Sequence, residues 1–197
     1  MADLKKLQQN LEERGFAVTR FDTAEQAAHD ARRHAALDGK TVGIGGSMTV
    51  QEMGLAERLS KHTQVLSHWV GSTQQEAAGA QVYLCSVNGA AETGELINID
   101  GTGNRVASGL FGHEKVYFIV GRNKVAPDYD AALWRARNIA APKNAQRLGR
   151  KTPCAVKGDR CYDCKSPERI CRALVVYWEK PNSMDMEVVL VDEDLGY

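Results

Sequence analysis

The stretch from Val82 to Arg105 concentrates side chains that suit acid–base chemistry. It begins with a β-branched and aromatic run, 82–87, which ends at Asn88-Gly89, a pair typical of turns. The loop behind that pair carries Glu92 and Glu95. Two carboxyl groups in one loop can take different pKa values, so these are the predicted catalytic acid and base. Solvation of the loop, or pairing with Arg105 or Arg122, is the alternative explanation for both.

A second short strand, Leu96–Asp100, follows the acidic loop and leads into a glycine-rich exit. A loop that is only structural rarely needs so many polar groups within so few residues. The segment is therefore predicted to form one wall of a small-molecule site. Its predicted ligand-binding residues are Asn98, Asp100 and Gly101.

A glycine-rich turn joins a buried-type strand, 41–44, to a helix that Thr49 and Glu52 are predicted to cap. Free N–H groups and the helix dipole at such a turn can hold a phosphate or a carboxylate. Close packing of the strand and the helix is the alternative reason for the glycines. The turn matches neither the Walker loop nor the three-glycine dinucleotide motif. The predicted anion-binding residues are Gly45, Gly46, Ser47, Met48 and Thr49.

The strongest strand signal, 115–120, ends at Gly121 and is followed at once by polar and cationic side chains. Open α/β sheets bind ligands at the carboxyl ends of their strands. Arg122, Asn123 and Lys124 are therefore predicted to bind a small carboxylate or a phosphorylated ligand.

Four of the five cysteines lie close together, with the spacing C-x6-C-x2-C-x6-C. Four thiolates can hold a [4Fe–4S] cluster or a zinc ion, and the central C-x2-C supplies the usual two-ligand bite. Free or disulfide-paired thiols are the alternative. The predicted metal ligands are Cys154, Cys161, Cys164 and Cys171. Cys85 stands alone in a strand and is predicted to be a small buried hydrophobe.

The overall composition excludes several classes of protein. Lys+Arg and Asp+Glu are balanced at 25 each, so no overall field favours nucleic acid or an anionic membrane. No apolar run approaches the ~20 residues of a membrane span, and the first residues lack a signal-peptide core. We therefore expect a soluble, cytoplasmic protein that neither binds nucleic acid nor spans a membrane. Trp134 and Trp178 are predicted to be core or dimer-contact residues, so a homodimer is one expectation.

Strands and helices alternate along the 197 residues, which predicts a layered α/β fold with a mostly parallel sheet. Capping boxes are predicted to start helices at Thr23 and Thr73. Pro142 is predicted to end or kink a later helix, with a basic connector behind it at 143–151. The last two strands, 174–178 and 187–191, are predicted to pair as a hairpin. The histidines at 29, 34, 62 and 68 have no ligand spacing and are predicted to have no site role.

Several blocks of residues, taken in order, resemble one known family. They are GGSMT at 45–49, ETGEL and NIDG within 92–101, VGRNK at 120–124, RNIAAP at 137–142, SPERIC at 166–171 and LGY at 195–197. Together they resemble the LUD (lactate utilisation) domain family in its short single-domain form. The resemblance covers nearly the whole chain. It implies one domain over 1–197, with a cysteine-rich metal-binding segment at 151–172.

The resemblance also implies a fold and a metabolic setting. The fold would be Rossmann-like, of the ribose-5-phosphate isomerase, glucosamine-6-phosphate deaminase and CoA transferase type. In related folds a glycine-rich turn faces an acidic loop, which would place 45–49 opposite 92–100. The setting is oxidation of L-lactate to pyruvate alongside iron–sulfur proteins, and it slightly favours the [4Fe–4S] cluster over zinc.

Two functions are compatible with these features, and they leave open whether the chain is an enzyme. The first is a protein that takes part in oxidation of L-lactate or a related hydroxyacid with iron–sulfur redox partners, through a small-anion pocket. The second is a non-catalytic subunit that binds a ligand or an iron–sulfur partner, supports assembly or regulation, and carries a structural metal.

Overall fold

The computed structural model describes residues 2–33 and 37–197, so His34 lies outside the described residues. Ten strands are described within these ranges. They are β1 Ala17–Phe21, β2 Val42–Ile44, β3 Val65–Leu66, β4 Val82–Cys85, β5 Gly89–Ala91, β6 Leu96–Asp100, β7 Lys115–Gly121, β8 Val125–Ala126, β9 Ala173–Tyr177 and β10 Asp185–Val191.

The helices of the described chain are short. They are α1 Leu4–Glu13, α2 Ala24–Arg33, α3 Met48–Glu52, α4 Leu55–Ser60, α5 Gln74–Ala78, α6 Asn104–Ser108, α7 Tyr129–Arg135, α8 Ala141–Arg147 and α9 Pro153–Lys157. A π-helical segment, Ala136–Ala140, joins α7 to α8, and 3-10 turns cover His68–Val70 and Arg122–Lys124. Within the described ranges, every helix is too short or too polar to traverse a lipid bilayer.

A six-stranded parallel sheet, in the order β1-β10-β7-β4-β2-β3, forms the centre of the fold. Its middle strands are apolar runs buried on both faces, as parallel sheets require. Tyr83 and Phe118 point to the side of α1 and α5, whereas Leu84 and Ile119 point to the side of α2, α3 and α4. The predicted α/β fold with a mostly parallel sheet is confirmed.

A smaller sheet, in the order β8-β5-β6-β9, packs beside α1 on one side of the central sheet. Its outer face is covered by α7 and the π segment. The predicted hairpin of the last two strands is therefore wrong, because β9 pairs with β6 in this sheet and β10 lies between β1 and β7. β10 is buried along most of its length and suits the middle of a sheet, whereas β9 is partly exposed and suits an edge.

Local sequence signals predict two of the helix starts correctly and one incorrectly. The capping boxes at Thr23 and Thr73 are confirmed by reciprocal hydrogen bonds with Gln26 and Glu76. The predicted cap at Thr49 is wrong. Ser47 has extended backbone angles and accepts a hydrogen bond from the N–H of Val50, so α3 begins at Met48.

Pro142 is predicted to end or kink its helix. It does not end the helical run, but the run changes from α to π geometry at Ala136–Ala140, just before Pro142. The helix then continues to Arg147 through the predicted connector. The first strand run ends before the Asn88-Gly89 pair, at Cys85, and Gly89 itself begins β5. A Cβ atom at Gly89 would lie 2.6 Å from the carbonyl oxygen of Ala132, so glycine here allows close packing on α7.

Candidate functional site

The candidate site lies at the carboxyl ends of three neighbouring strands of the central sheet. β2 leads into the glycine-rich turn at 45–47, β4 leads into 86–88, and β7 leads into 122–124. Because the strands are parallel, these three exits meet at one edge of the sheet. The site is the cleft between this edge and the helical run from α7 to α8.

Lys124 lies at the bottom of this cleft and is 3% exposed. Its Nζ atom donates hydrogen bonds to Thr49 Oγ1 and Ser86 Oγ, each at 2.8 Å, and to the carbonyl of Val87 at 3.2 Å. All three partners are uncharged, and the described residues provide no ion pair for this amine. A buried amine without a carboxylate partner is unusual in a stable fold and is typical of functional sites.

The surroundings of Lys124 disfavour its charged form. Burial, together with the positive charges of Arg135 and Arg105, lowers the pKa of Lys124 to about 7, against a smaller opposing effect of the Glu52 carboxylate. Burial also lowers the pKa of Arg135, to about 10, but that side chain keeps its charge at neutral pH. Lys124 is therefore divided between amine and ammonium at neutral pH, within a positively charged site.

Arg105 holds the wall of the cleft together. Its guanidinium donates to the carbonyls of Ile99 at 2.6 Å and Gly46 at 3.1 Å, and to Asn88 Oδ1 at 3.3 Å. These contacts connect β6 with the exits of β2 and β4. The side chain therefore fixes the relative positions of three segments while keeping its positive charge in the cleft.

Asp100 is a carboxylate that lines the cleft with Arg105. It accepts hydrogen bonds from the N–H groups of Thr102, Arg105 and Val106, and so caps α6. Burial alone raises its pKa, but the Arg105 charge and the backbone N–H groups outweigh burial and hold the pKa of this carboxyl below its ordinary value. Asp100 is thus a fixed anion that orients Arg105 and the α6 turn.

The cleft has an outer chamber and an inner recess. The outer chamber, of about 290 Å³, is lined by Asp100 and by three arginines, Arg105, Arg147 and Arg150. The recess, of about 40 Å³, continues inward from Arg105 and Arg147 to Lys124. The lining therefore carries more positive than negative charge and suits a small anion.

The last described residues cover the inner end of the recess. The carbonyl of Leu195 accepts a hydrogen bond from Thr49 Oγ1 at 3.2 Å, and the N–H of Gly196 donates to Glu52 Oε2 at 2.7 Å. Tyr197 lines the recess itself. This tail shields Lys124 from solvent on the side away from the outer chamber.

The π-helical segment sets the positions of the residues on either side of it in the helical run from α7 to α8. Just before it, Arg135 donates to the carbonyls of Asn123 at 2.7 Å and Asn88 at 2.6 Å, which ties α7 to two strand exits. At its end and directly after it, Ala140 and Ala141 present small side chains to the cleft. A π turn inside an α-helix often marks a functional site, because it shifts the faces that the two halves present.

The structure brings together a part of the predicted site residues. Residues that line the cleft or contact Lys124 include Gly46, Ser47, Met48, Thr49, Asp100, Gly101 and Lys124 itself. Gly45 lies behind them: a Cβ atom there would lie 2.4 Å from the hydroxyl of Tyr83, so close packing explains this glycine. Asn98 is buried behind the cleft and donates to the carbonyl of Ser86 at 3.2 Å.

Glu92 and Glu95 are not brought to the cleft. Both lie in the turn between β5 and β6, beside α1. Glu92 accepts hydrogen bonds from the N–H of Asp3 at 2.9 Å and from Lys6 Nζ at 3.3 Å. Glu95 pairs with Arg14 at 2.8 Å. These contacts attach the hairpin to the first helix.

Arg122 and Asn123 also face away from the recess. Arg122 pairs with Asp194 at 3.0 Å and with Asp192 at 3.6 Å on the surface. Asn123 binds the tail, because its Nδ2 atom donates to the carbonyl of Gly196 at 3.1 Å. Of the three residues at this strand exit, Lys124 is the one that enters the cleft.

The cysteine segment lies next to the cleft. The N–H of Arg172 donates to the carbonyl of Asp100 at 2.9 Å, and Ile99 lines both the anion cleft and a second cleft of about 300 Å³ that contains Cys161 and Cys171. Arg169 holds the segment by donating to the carbonyls of Cys164 and Cys171.

The thiols themselves do not converge in this structure. All four are free and half-buried. Across residues 2–33 and 37–197, no three His, Cys, Asp or Glu side chains are grouped so as to hold a metal ion. The donor set suits zinc or an iron–sulfur cluster in number and chemistry, so the predicted metal centre stays a prediction.

Several site residues lay outside the sequence predictions. Ser86, Asn88 and Arg147 line the recess, and Arg135 braces its wall. His68, predicted to have no site role, lines the outer chamber. Cys85 is fully buried, as predicted, whereas Trp134 and Trp178 are 58% and 69% exposed and are not core residues.

Comparisons with known proteins agree with this fold. A DUF162 family protein from Deinococcus radiodurans superimposes with a TM-score of 0.57 over 95% of this chain and 95% of that one, at 14% sequence identity. At that identity the likeness supports the fold alone. A search of curated proteins found no match.

The family model of the LUD domain matches residues 4–191. This match extends over both sheets, the cleft and the cysteine segment. The chain therefore belongs to the LUD domain family, which is associated generally with lactate utilisation.

Proposed function

We propose that this chain binds the carboxylate of a short hydroxyacid, such as L-lactate, or of its 2-oxo product in the cleft. On this proposal the chain takes part in oxidation of that acid together with iron–sulfur redox partners. The observation that carries the proposal is Lys124, a buried amine with only uncharged partners at the end of a cationic cleft.

Each part of the cleft has a role in this proposal. Arg147 and Arg105 attract the carboxylate, because a guanidinium pairs well with a planar anion. Lys124 exchanges a proton with the hydroxyl or carbonyl oxygen, which its pKa of about 7 permits in either direction. Oxidation releases two electrons, and iron–sulfur partners would accept them.

The four cysteines are the proposed ligands of a metal centre. Cys154, Cys161, Cys164 and Cys171 would hold a [4Fe–4S] cluster, which would supply electron transfer, or a zinc ion, which would brace the segment. The common wall at Ile99 supports a link between this segment and the bound acid.

Titration calorimetry tests the binding step. L-lactate, pyruvate, acetate and inorganic phosphate are titrated into the wild-type protein, Arg147→Gln and Arg20→Gln. Arg147 is exposed at the cleft and Arg20 is an exposed arginine with no described contact, so the pair is matched. We expect binding of L-lactate or pyruvate to weaken by about tenfold or more in Arg147→Gln, as loss of one charge-assisted hydrogen bond implies. Equal binding by both variants, or no binding of any acid, would contradict the proposal.

A non-catalytic subunit is the second candidate, and the surface around the cysteines favours it. Arg137, Arg169 and Arg172 line the second cleft. Asp163 in the same lining pairs with Arg137 and Arg169, so the cleft keeps an excess of positive charge toward a partner. On this candidate the chain recognises an acidic iron–sulfur protein and shows no turnover alone. Co-purification of such a partner, with no change of added L-lactate by the isolated chain, would favour the second function over the first.

A further inference from the structure

We propose that Nζ of Lys124 forms a covalent imine with a short 2-oxo acid bound in the cleft. The inference rests on the proposed binding of a small carboxylate and goes beyond it, because it makes the lysine a nucleophile. It names the substrate class as acids with a carbonyl carbon next to the carboxylate.

The first argument is the state of the amine. An imine requires an unprotonated amine, and a lysine is activated when it is desolvated or placed beside other cations. Lys124 is 3% exposed, and the nearby cations Arg135 and Arg105 act on its charge more strongly than the Glu52 carboxylate does. At pH 7 such a lysine has far more free amine than an exposed lysine, whose pKa is about 10.4.

The second argument is the pair of hydroxyl groups on the amine. Thr49 Oγ1 and Ser86 Oγ each lie 2.8 Å from Nζ. The nitrogen lone pair adds to the carbonyl carbon, and the C=O π electrons move to oxygen. A proton passes from nitrogen to that oxygen through a hydroxyl, which gives a carbinolamine. Transfer of a second proton releases the oxygen as water and leaves the C=N bond, so the balance is one amine plus one ketone to one imine plus one water.

The third argument is the shape of the cleft. The recess of about 40 Å³ admits only the reacting end of a ligand, and Arg105 and Arg147 lie where it opens into the larger chamber. A carboxylate bound by these arginines would place the adjacent carbon on the side of Lys124. The acid must therefore carry its carbonyl close to the carboxylate.

The fourth argument is the exclusion of water. The tail closes the inner side of the recess, and a Cβ atom at Gly196 would lie 3.4 Å from Nζ. Water-poor surroundings favour an imine, because hydrolysis needs water at the same carbon.

Reductive trapping tests the inference. Pyruvate and cyanoborohydride are added at pH 7 to the full chain, and peptides are mapped by mass spectrometry. We expect Lys124 to gain the mass of one pyruvic acid less one oxygen atom, with labelling at least about tenfold above that of the exposed Lys61, in line with the larger fraction of free amine. Excess L-lactate, which has a hydroxyl in place of the 2-oxo group, should compete and reduce the label.

Two variants and one parallel measurement keep the test decisive. Lys124→Arg keeps a positive charge at this position and should lose the adduct. Lys61→Arg should keep the adduct at Lys124. If Lys124→Arg fails to fold, the peptide map of the wild-type protein alone shows whether Lys124 is labelled. Calorimetric binding of pyruvate without an adduct at Lys124 would overturn the imine and leave the binding proposal intact. Labelling spread evenly over exposed lysines would also overturn the imine. Absence of both binding and adduct would overturn the imine together with the proposed function.

Discussion

The guanidinium of Arg105 lies 3.1 Å from the carbonyl oxygen of Gly46 and bridges two segments that are far apart in sequence. The same side chain donates to Ile99 and Asn88. Removing it would leave partly buried carbonyl groups without a donor.

We therefore expect Arg105→Gln to lower the free energy of unfolding by about 2 kcal/mol, the range for hydrogen bonds to charged groups. Binding of L-lactate or pyruvate should also weaken. Urea unfolding and calorimetry measure the two effects, and Arg20→Gln, on the exposed surface, should change stability by less than about 0.5 kcal/mol. Equal stability of the two variants would show that the bridge contributes nothing to the fold.

Lys124 makes stability depend on pH in a defined direction. Its folded pKa of about 7 lies below the unfolded value of about 10.4, so between these values the unfolded chain binds the extra proton. Stability contributed by the neutral amine is therefore present at high pH and is lost as pH falls towards 7.

The difference in unfolding free energy between wild type and Lys124→Met measures the pH-dependent contribution of the Lys124 amine. It should shift in favour of wild type by up to about 1.4 kcal/mol per pH unit between pH 7 and 9. Urea unfolding at intervals across that range measures it, with Lys61→Met as the control. A constant difference across the range would mean that Lys124 titrates normally in the folded protein.

Glu95 contacts Arg14 at 2.8 Å on the side of α1, away from the recess. We predict that Glu95→Gln leaves the affinity for L-lactate or pyruvate unchanged and lowers the free energy of unfolding by about 1–3 kcal/mol, because it removes one charge of a partly buried pair. Calorimetry and urea unfolding check both statements. Loss of affinity with unchanged stability would contradict this prediction and would show that Glu95 takes part in binding.

The cysteine segment makes a separate prediction about metal content. Protein purified without oxygen should contain iron and sulfide with broad visible absorption, or else one zinc ion. Cys164→Ala should lose that metal, because it removes one thiolate of the C-x2-C pair. Cys85→Ala, outside the segment, should keep it. Elemental analysis of the three proteins measures the metal content. A wild-type protein without metal would contradict the predicted metal centre.

The sequence predicts the strand exits better than it predicts the hairpin. Lys124 and the turn at 46–48 follow directly from buried strands, and parallel strands bring their carboxyl ends together. Glu92 and Glu95 follow a short antiparallel strand instead. Because β5 and β6 are antiparallel, their connecting turn lies at the opposite end from Asn88 and Asp100. The prediction therefore identifies the right segment for the site wall. It is wrong about the end of the hairpin, because Glu92 and Glu95 lie at the end away from the cleft.

The helical wall is hard to predict from the sequence for a different reason. If the helix stops at Pro142, Arg147 lies in an irregular connector. The direction of its side chain then cannot be predicted from helical spacing. Continued helix would place Ala140, Asn144 and Arg147 on one face, at spacings of four and three residues. All three line the recess. The π turn that precedes Pro142 packs against β6, which is distant in the sequence, so no local pattern signals it.

The position of β10 has a consequence for biosynthesis. β1 has β10 as its sole neighbour in the described central sheet, so residues 17–21 have no strand to pair with until residues 185–191 have left the ribosome. Contacts of such long sequence separation slow folding and expose strand edges meanwhile. Nascent chains halted before residue 185 should therefore be prone to proteolysis and aggregation, and the Lys124 recess should close only after translation has passed that strand.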